Sequence, residues 1–174
     1  MHSQPRFVFR RVTPFVALGA VLAVALAWAV PLRAQTLPQD QGASGTWQKL
    51  QKLRTTASVL HTTAHPDDEH GGMLAMLSRR DGARVTMLTL TRGESGDNAL
   101  GPELFVSLGL IRTEELLVSN RYYGVDQQYF ASVLDYGFSK RLDEAFASWG
   151  RDTVMRDTVR VIRAERPTVN RRRE

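Results

Sequence analysis

The sequence predicts an α/β domain built on a parallel sheet, and three observations carry that prediction. Ala57 to Ala64 is a strand candidate, Glu69 to Arg80 has helical spacing, and Arg84 to Thr91 is a second β-rich run. A strand, a helix and a strand within about 35 residues make a βαβ unit, which joins parallel strands. The second run is mostly apolar instead of alternating, as expected of a central strand covered on both faces.

The elements follow in order. Arg6, Arg10 and Arg11 precede Phe15 to Val30, sixteen residues without a charge, and Ala34 follows as a small residue before Gln35. Basic, apolar, small-residue cut is the order of a secretory signal, so residues 1–34 are expected to be a leader. The apolar run is short for a membrane span of about 20 residues, and an uncleaved N-terminal anchor is the alternative. The protein is expected to be exported, to a periplasm or the medium, with membrane contact only through that leader. Residues 35–55 are expected to form a flexible arm, rich in Gln, Gly, Ser and Pro up to Gly45. Within it, Trp47 to Arg54 has Leu50 and Leu53 on one side, as a short helix would.

The main domain is expected over 56–174. In its first helix Met73, Leu74, Met76 and Leu77 recur at helical spacing, and Arg79-Arg80 suit a C-terminal end. Asp81-Gly82 is a turn, and Arg92 to Asn98 is a loop by composition. Leu108 to Tyr123 reads as a helix stopped by Gly124. Val125 to Leu134 holds a short strand and a loop. Leu142, Ala145, Phe146 and Trp149 fall at i, i+3, i+4 and i+7, an amphipathic helix whose aromatic residues are expected in the core. Met155, Val159 and Ile162 mark a further helix, ended before Pro167. Thr168-Val169-Asn170 opens a new strand, which Arg171-Arg172-Arg173-Glu174 does not look able to continue.

Charge excludes one class of partner. The leader carries four arginines and no acid, and without it the formal charge falls from +5 to +1. The high pI therefore does not argue for nucleic acid, and no basic stripe with interleaved aromatics is present. There is no cysteine, hence no disulfide and no lipid-anchored cysteine.

The chemistry concentrates in Thr63-Ala64-His65-Pro66-Asp67-Asp68-Glu69-His70, two histidines and three carboxylates in eight residues. It lies at the C-terminal end of the first strand, where open α/β sheets bind ligands. His65 and Asp68 are suitable ligands for a divalent metal such as Zn²⁺, with Pro66 stiffening the turn between them. Asp67 stands between them and is placed to take a proton from a water whose pKa a metal lowers to about 7. A polar surface loop is the bland alternative. His61 lies inside the strand and reads as structural, and His70 opens the helix. Gly93-Glu94-Ser95-Gly96 lacks the spacing of a nucleophilic serine and of a phosphate loop. Glu115, three residues after Arg112, would pair with it on one helix face.

Ala64-His65-Pro66-Asp67-Asp68-Glu69 resembles the signature of the PIG-L/LmbE-like N-acetylglucosaminyl deacetylases. Leu88 to Asp97 resembles that family's second strand and glycine loop, Leu110 to Leu116 its Arg-x-x-Glu helix, and Asp135-Tyr136-Gly137 a later Asp-containing loop. The resemblance implies a Rossmann-like three-layer sandwich with a mainly parallel sheet. It also implies a metal hydrolase that removes acetyl from an N-acetylglucosamine-type sugar or related amide. His65 and Asp68 would be metal ligands, with Zn²⁺, Fe²⁺ or Mn²⁺ all acceptable. Asp67 would be the general base, Arg112 and Asp135 would contact the sugar, and Glu94 and Asp97 would shape the rim.

The sequence departs from that family in one respect. The third ligand and a neighbouring acid histidine lie in a His-x-x-His-like stretch, and no histidine follows His70 here. The expectation is a truncated or frameshifted product, or a fragment, with the C-terminal part of the fold missing, weak metal affinity and little or no turnover. The alternative reading is a non-catalytic exported domain that binds carbohydrate or metal weakly. A membrane-anchored interaction module without metal would leave the carboxylate cluster unexplained.

Overall fold

The structure is a computed structural model that describes residues 41–172. The expected leader and the start of the expected arm lie outside the described residues. Strands β1 (Ser58–Thr63), β2 (Arg84–Thr89), β3 (Gln127–Phe130) and β4 (Val169–Arg172) form one sheet. All its pairings are parallel, in the order β3-β2-β1-β4. This is the first part of the Rossmann strand order, and the direction of winding reverses between β1 and β4. Arg171 and Arg172 do continue β4, paired with His61 and Thr62 of β1. Backbone pairing to a ready strand edge overrides their composition.

The helices lie on both faces. A short helix α1 (Gly42–Lys52) precedes the sheet, and α2 (Gly71–Ala75) runs into a π-helical turn over Met76–Arg80. Helices α3 (Val106–Tyr123), α4 (Leu142–Trp149) and α5 (Arg151–Glu165) follow. On one face Leu74 and Leu116 pack with Val85 and Met87, joined by Met73, Leu77, Tyr123 and Phe130. On the other, Leu60 and Leu88 pack with Val161, joined by Leu90 and Ile162. Strand β2 thus sends alternate side chains into two cores, which is why its sequence is apolar throughout. Each of these fully buried aliphatic side chains contributes about 1.5–3 kcal/mol relative to exposure.

Several boundaries differ from the expectations, each for a local reason. The helix expected from Glu69 starts at Gly71, because His70 caps it: the Met73 N–H donates to His70 Nδ1 at 3.2 Å. Its last turn widens, with the Asp81 N–H donating to the Met76 carbonyl at 3.1 Å. The widened turn carries Ser78, 1% exposed, under Gly124. Gly124 ends α3 with φ +77°, a left-handed cap. Part of the expected flexible arm is helical. Helix α1 begins well before Trp47 and turns Gly45, not Leu50 or Leu53, inward. Its C-terminal end is seated on the Gly82 turn, and Lys52 pairs with Asp126.

The amphipathic pattern of α4 misleads. None of its residues is buried, so Phe146 and Trp149 are not core. Trp149 instead donates its indole N–H to the Leu134 carbonyl at 2.7 Å and meets the edge of Tyr136. In α5 the buried positions are Asp157 and Val161, while Met155 is exposed. Asp157 is drawn inward by the N–H and O–H of Ser132, at 2.8 and 2.6 Å. These bonds, the hydroxyl's first, hold its carboxyl below the ordinary value. Among the described residues no helix is long and apolar enough to cross a membrane.

Candidate active site

The candidate site lies at the C-terminal ends of the parallel strands, where the loops leaving β1 and β2 and the helix α3 line an open cleft. The loop leaving β1 is tied to the loop leaving β2. The Leu90 and Thr91 N–H groups donate to the carbonyls of Thr63 and Ala64 at 2.9 and 3.0 Å, and the buried Thr91 hydroxyl reaches Ala64 as well.

Residues 65–68 form a tight turn. The His65 N–H donates to Asp68 Oδ2 at 2.9 Å, and the Asp68 N–H returns to the His65 carbonyl at 3.4 Å. The same carboxylate oxygen lies 3.3 Å from His65 Nδ1. Asp67 sits at φ +102°, a region that costs a non-glycine residue about 1–3 kcal/mol. Its N–H is held by Glu69 Oε2 at 2.8 Å. The sequence marked Asp67 as chemically special but carried no sign of the strain.

Arg112 comes from the middle of α3. Its Nη2 donates to the Pro66 carbonyl at 2.6 Å and to Asp67 Oδ2 at 2.9 Å. The expected helix-face pair with Glu115 does not form among the described residues. Glu115 instead lines an open cleft of about 750 Å³ beside Asp67, together with Asp97, Asn98, Glu103 and Arg112. Sequence reasoning missed Asn98 and Glu103 as cleft residues. They belong to an irregular stretch with no periodicity to place them.

Asp135 arrives from the loop after β3. Its side chain is 6% exposed, and Oδ1 lies 3.5 Å from His65 Nε2. The Ser95 N–H reaches Oδ2 at 3.2 Å and the Gly137 N–H reaches Oδ1 at 3.0 Å. Glu94, expected at the rim, is buried and accepts the N–H groups of Arg92 and Asp135 at 3.1 Å each. It supports the loop, and Asp97 alone of the pair faces the cleft. His61 is buried within β1 and His70 is engaged at its cap. The fold therefore gathers His65, Asp67, Asp68, Arg112 and Asp135 around one turn, and leaves His61 and His70 out.

Two ligands on a tetrahedral ion with bonds near 2.1 Å stand about 3.4 Å apart. The 3.3 Å between His65 Nδ1 and Asp68 Oδ2 fits that edge. Asp135, behind the other ring nitrogen, has the place of the carboxylate that orients a ligating histidine. Among the described residues no group of three or more His, Asp or Glu is arranged to hold an ion. The residues present fit as two of the three protein ligands of a catalytic zinc.

Residues 60–169 match the family described as PIG-L, GlcNAc-PI de-N-acetylase. The fold is an α/β one on a parallel sheet, and the chain belongs to the PIG-L family. It is 31% identical over 121 residues to the 1D-myo-inositol 2-acetamido-2-deoxy-alpha-D-glucopyranoside deacetylase 2 of Saccharopolyspora erythraea, covering 61% of this chain and 44% of that protein. It is 33% identical over 128 residues to the corresponding deacetylase of Streptomyces scabiei, covering 64% of this chain and 39% of that one. Among solved structures it resembles the N,N'-diacetylchitobiose deacetylase of Pyrococcus horikoshii at 23% identity and a TM-score of 0.49, over 74% of this chain and 49% of that one. The chain thus spans less than half the length of these curated relatives.

Proposed function

We propose that this chain belongs to a metal-dependent N-deacetylase acting on an N-acetylglucosamine-type sugar or a related amide. Membership of the PIG-L family supports the reaction class. The observation that carries the reading for these residues is the 65–68 turn, with His65 and Asp68 at ligand spacing and Asp67 beside the cleft. In this reading His65 and Asp68 hold a divalent cation, zinc or iron by donor type. Bound there, it would polarise the amide carbonyl and acidify a water.

The chain's own residues do the rest. Asp67 takes a proton from the water whose oxygen bonds to the amide carbonyl carbon, and returns that proton to the amide nitrogen as the C–N bond breaks, giving the acetyl group as its acid and the sugar as the free amine. Asp135 keeps the His65 ring turned toward Asp68. Asp97, Glu103 and Glu115 offer carboxylate acceptors to sugar hydroxyls along the cleft, while the Asn98 amide holds the cleft loop together through Glu103, Leu100 and Gly101. The leader composition supports export as the setting. A deacetylation assay on N-acetylated sugars, with zinc added, tests the reading; no release of acetate by any of them, at any zinc concentration, would defeat it.

The count of donors favours a second reading. With two donors at ligand spacing among the described residues, the alternative is a non-catalytic exported domain that binds carbohydrate or metal weakly. Tight one-to-one zinc binding in a titration of the 174-residue chain would exclude that.

A further inference from the structure

The Arg-x-x-Glu stretch suggests a sugar contact for Arg112, yet its donors are committed elsewhere. The Arg112 side chain is 18% exposed and its guanidinium runs between two loops. On one side Nη2 holds both the Pro66 carbonyl and the Asp67 carboxylate, at 2.6 and 2.9 Å. On the other Nη1 reaches the Gly93 carbonyl at 3.5 Å. The glycine loop is shaped for this passage. A Cβ on Gly93 would lie 2.8 Å from Arg112 Cζ, and one on Gly96 would lie 2.6 Å from Nη1. Neither contact is sterically possible, so both positions must lack a side chain for the guanidinium to stay where it is.

What Arg112 holds is the strained residue. Asp67 has φ +102°, and its side chain is 74% exposed, so packing does not fix it. One nitrogen, Nη2, grips the peptide before Asp67 and the carboxylate of Asp67 together, while Nη1 of the same plane reaches Gly93. That couples the backbone twist to the direction of the side chain. A lysine, a point charge on a flexible stem, cannot reproduce a planar fork.

We propose that Arg112 is a positioning residue for Asp67: it stabilises the left-handed turn at Asp67 and aims its carboxylate into the cleft, and Gly93 and Gly96 are small to admit it. The catalytic meaning of this rests on Asp67 being the base, as proposed above; the conformational part does not.

The test uses the 174-residue chain with Arg112→Lys and, as a variant that keeps every polar group, Gly96→Ala. In metal-free protein, NMR of the Asp67 amide reads the backbone directly, because a positive φ gives a strong intraresidue amide–Hα Overhauser effect. That effect is expected in the parent and weakened in both variants. Where the parent deacetylates a substrate, kcat is expected to fall about 100-fold in Arg112→Lys with KM little changed, the scale of a misplaced catalytic group. Free guanidine should restore part of the rate to Arg112→Ala. An Asp67 signal unchanged in both variants would overturn the proposal, as would a rise in KM with kcat retained, which marks a sugar contact. If Arg112→Lys does not fold, Gly96→Ala decides. If the parent releases no acetate, the deacetylase reading fails and the Asp67 signal alone decides the positioning role.

Discussion

His65 Nε2 faces Asp135 Oδ1 at 3.5 Å, across seventy residues of chain. The carboxylate is nearly buried and is itself held by the Ser95 and Gly137 N–H groups. His65 is therefore flanked by Asp68 on one ring nitrogen and Asp135 on the other. An imidazole so flanked has one nitrogen to offer a metal and one to be oriented by.

Asp135→Asn removes the acceptor charge behind His65 and keeps the shape. Zinc affinity, followed by calorimetric titration, is expected to weaken about 10–100-fold. Were Asp135 a sugar contact only, the titration would match the parent and KM alone would rise.

Asp67→Asn leaves His65 and Asp68 untouched. Deacetylation is expected to slow by about 10²–10⁴-fold, the usual worth of a general base, with zinc affinity as in the parent. Equal rates would remove Asp67 from the mechanism.

Gly124→Ala tests the junction of α3 with the π-helical turn. At φ +77° a Cβ would stand 2.7 Å from Ser78 Oγ and 3.2 Å from Arg79 Cγ. The conformational strain alone should cost about 1–3 kcal/mol, read as a lower urea midpoint.

Ser132→Ala tests the buried Asp157. At neutral pH the loss of a hydroxyl bond to a carboxylate should cost about 1.5–3 kcal/mol. The folded pKa of Asp157 lies below its ordinary value of 3.8, through the bonds from Ser132 and then Arg156. A depressed carboxyl stabilises the fold above its unfolded pKa, and that contribution is lost as pH falls through the folded value. The gap between parent and variant in urea unfolding should therefore be full above pH 3.8 and close on further acidification.

The legible parts of the molecule were those written in local pattern. Strands β1 and β2 announced themselves because both faces of β2 are buried, and α3 because Gly124 ends it. The pattern failed where one residue outweighed its neighbours. In α5 Asp157 takes a buried position beside Val161 while Met155 of the expected stripe is exposed, since an ionised carboxylate must bury against donors if it is to bury at all. Helix α4 has a regular stripe but packs outside the two cores, so its aromatic residues stay half-exposed.

By itself the sequence determined the α/β class, the βαβ unit and the eight-residue stretch where metal-type donors crowd at a strand end, because strand ends and donor clusters are local features. Only the tertiary structure decided who stands beside them. Arg112 reaches Asp67 across 45 residues and Asp135 reaches His65 across 70, by way of a sheet whose order reverses at β1. Those partners come from separate crossovers, and no spacing along the chain encodes a distance between loops that meet only when the strands are laid side by side.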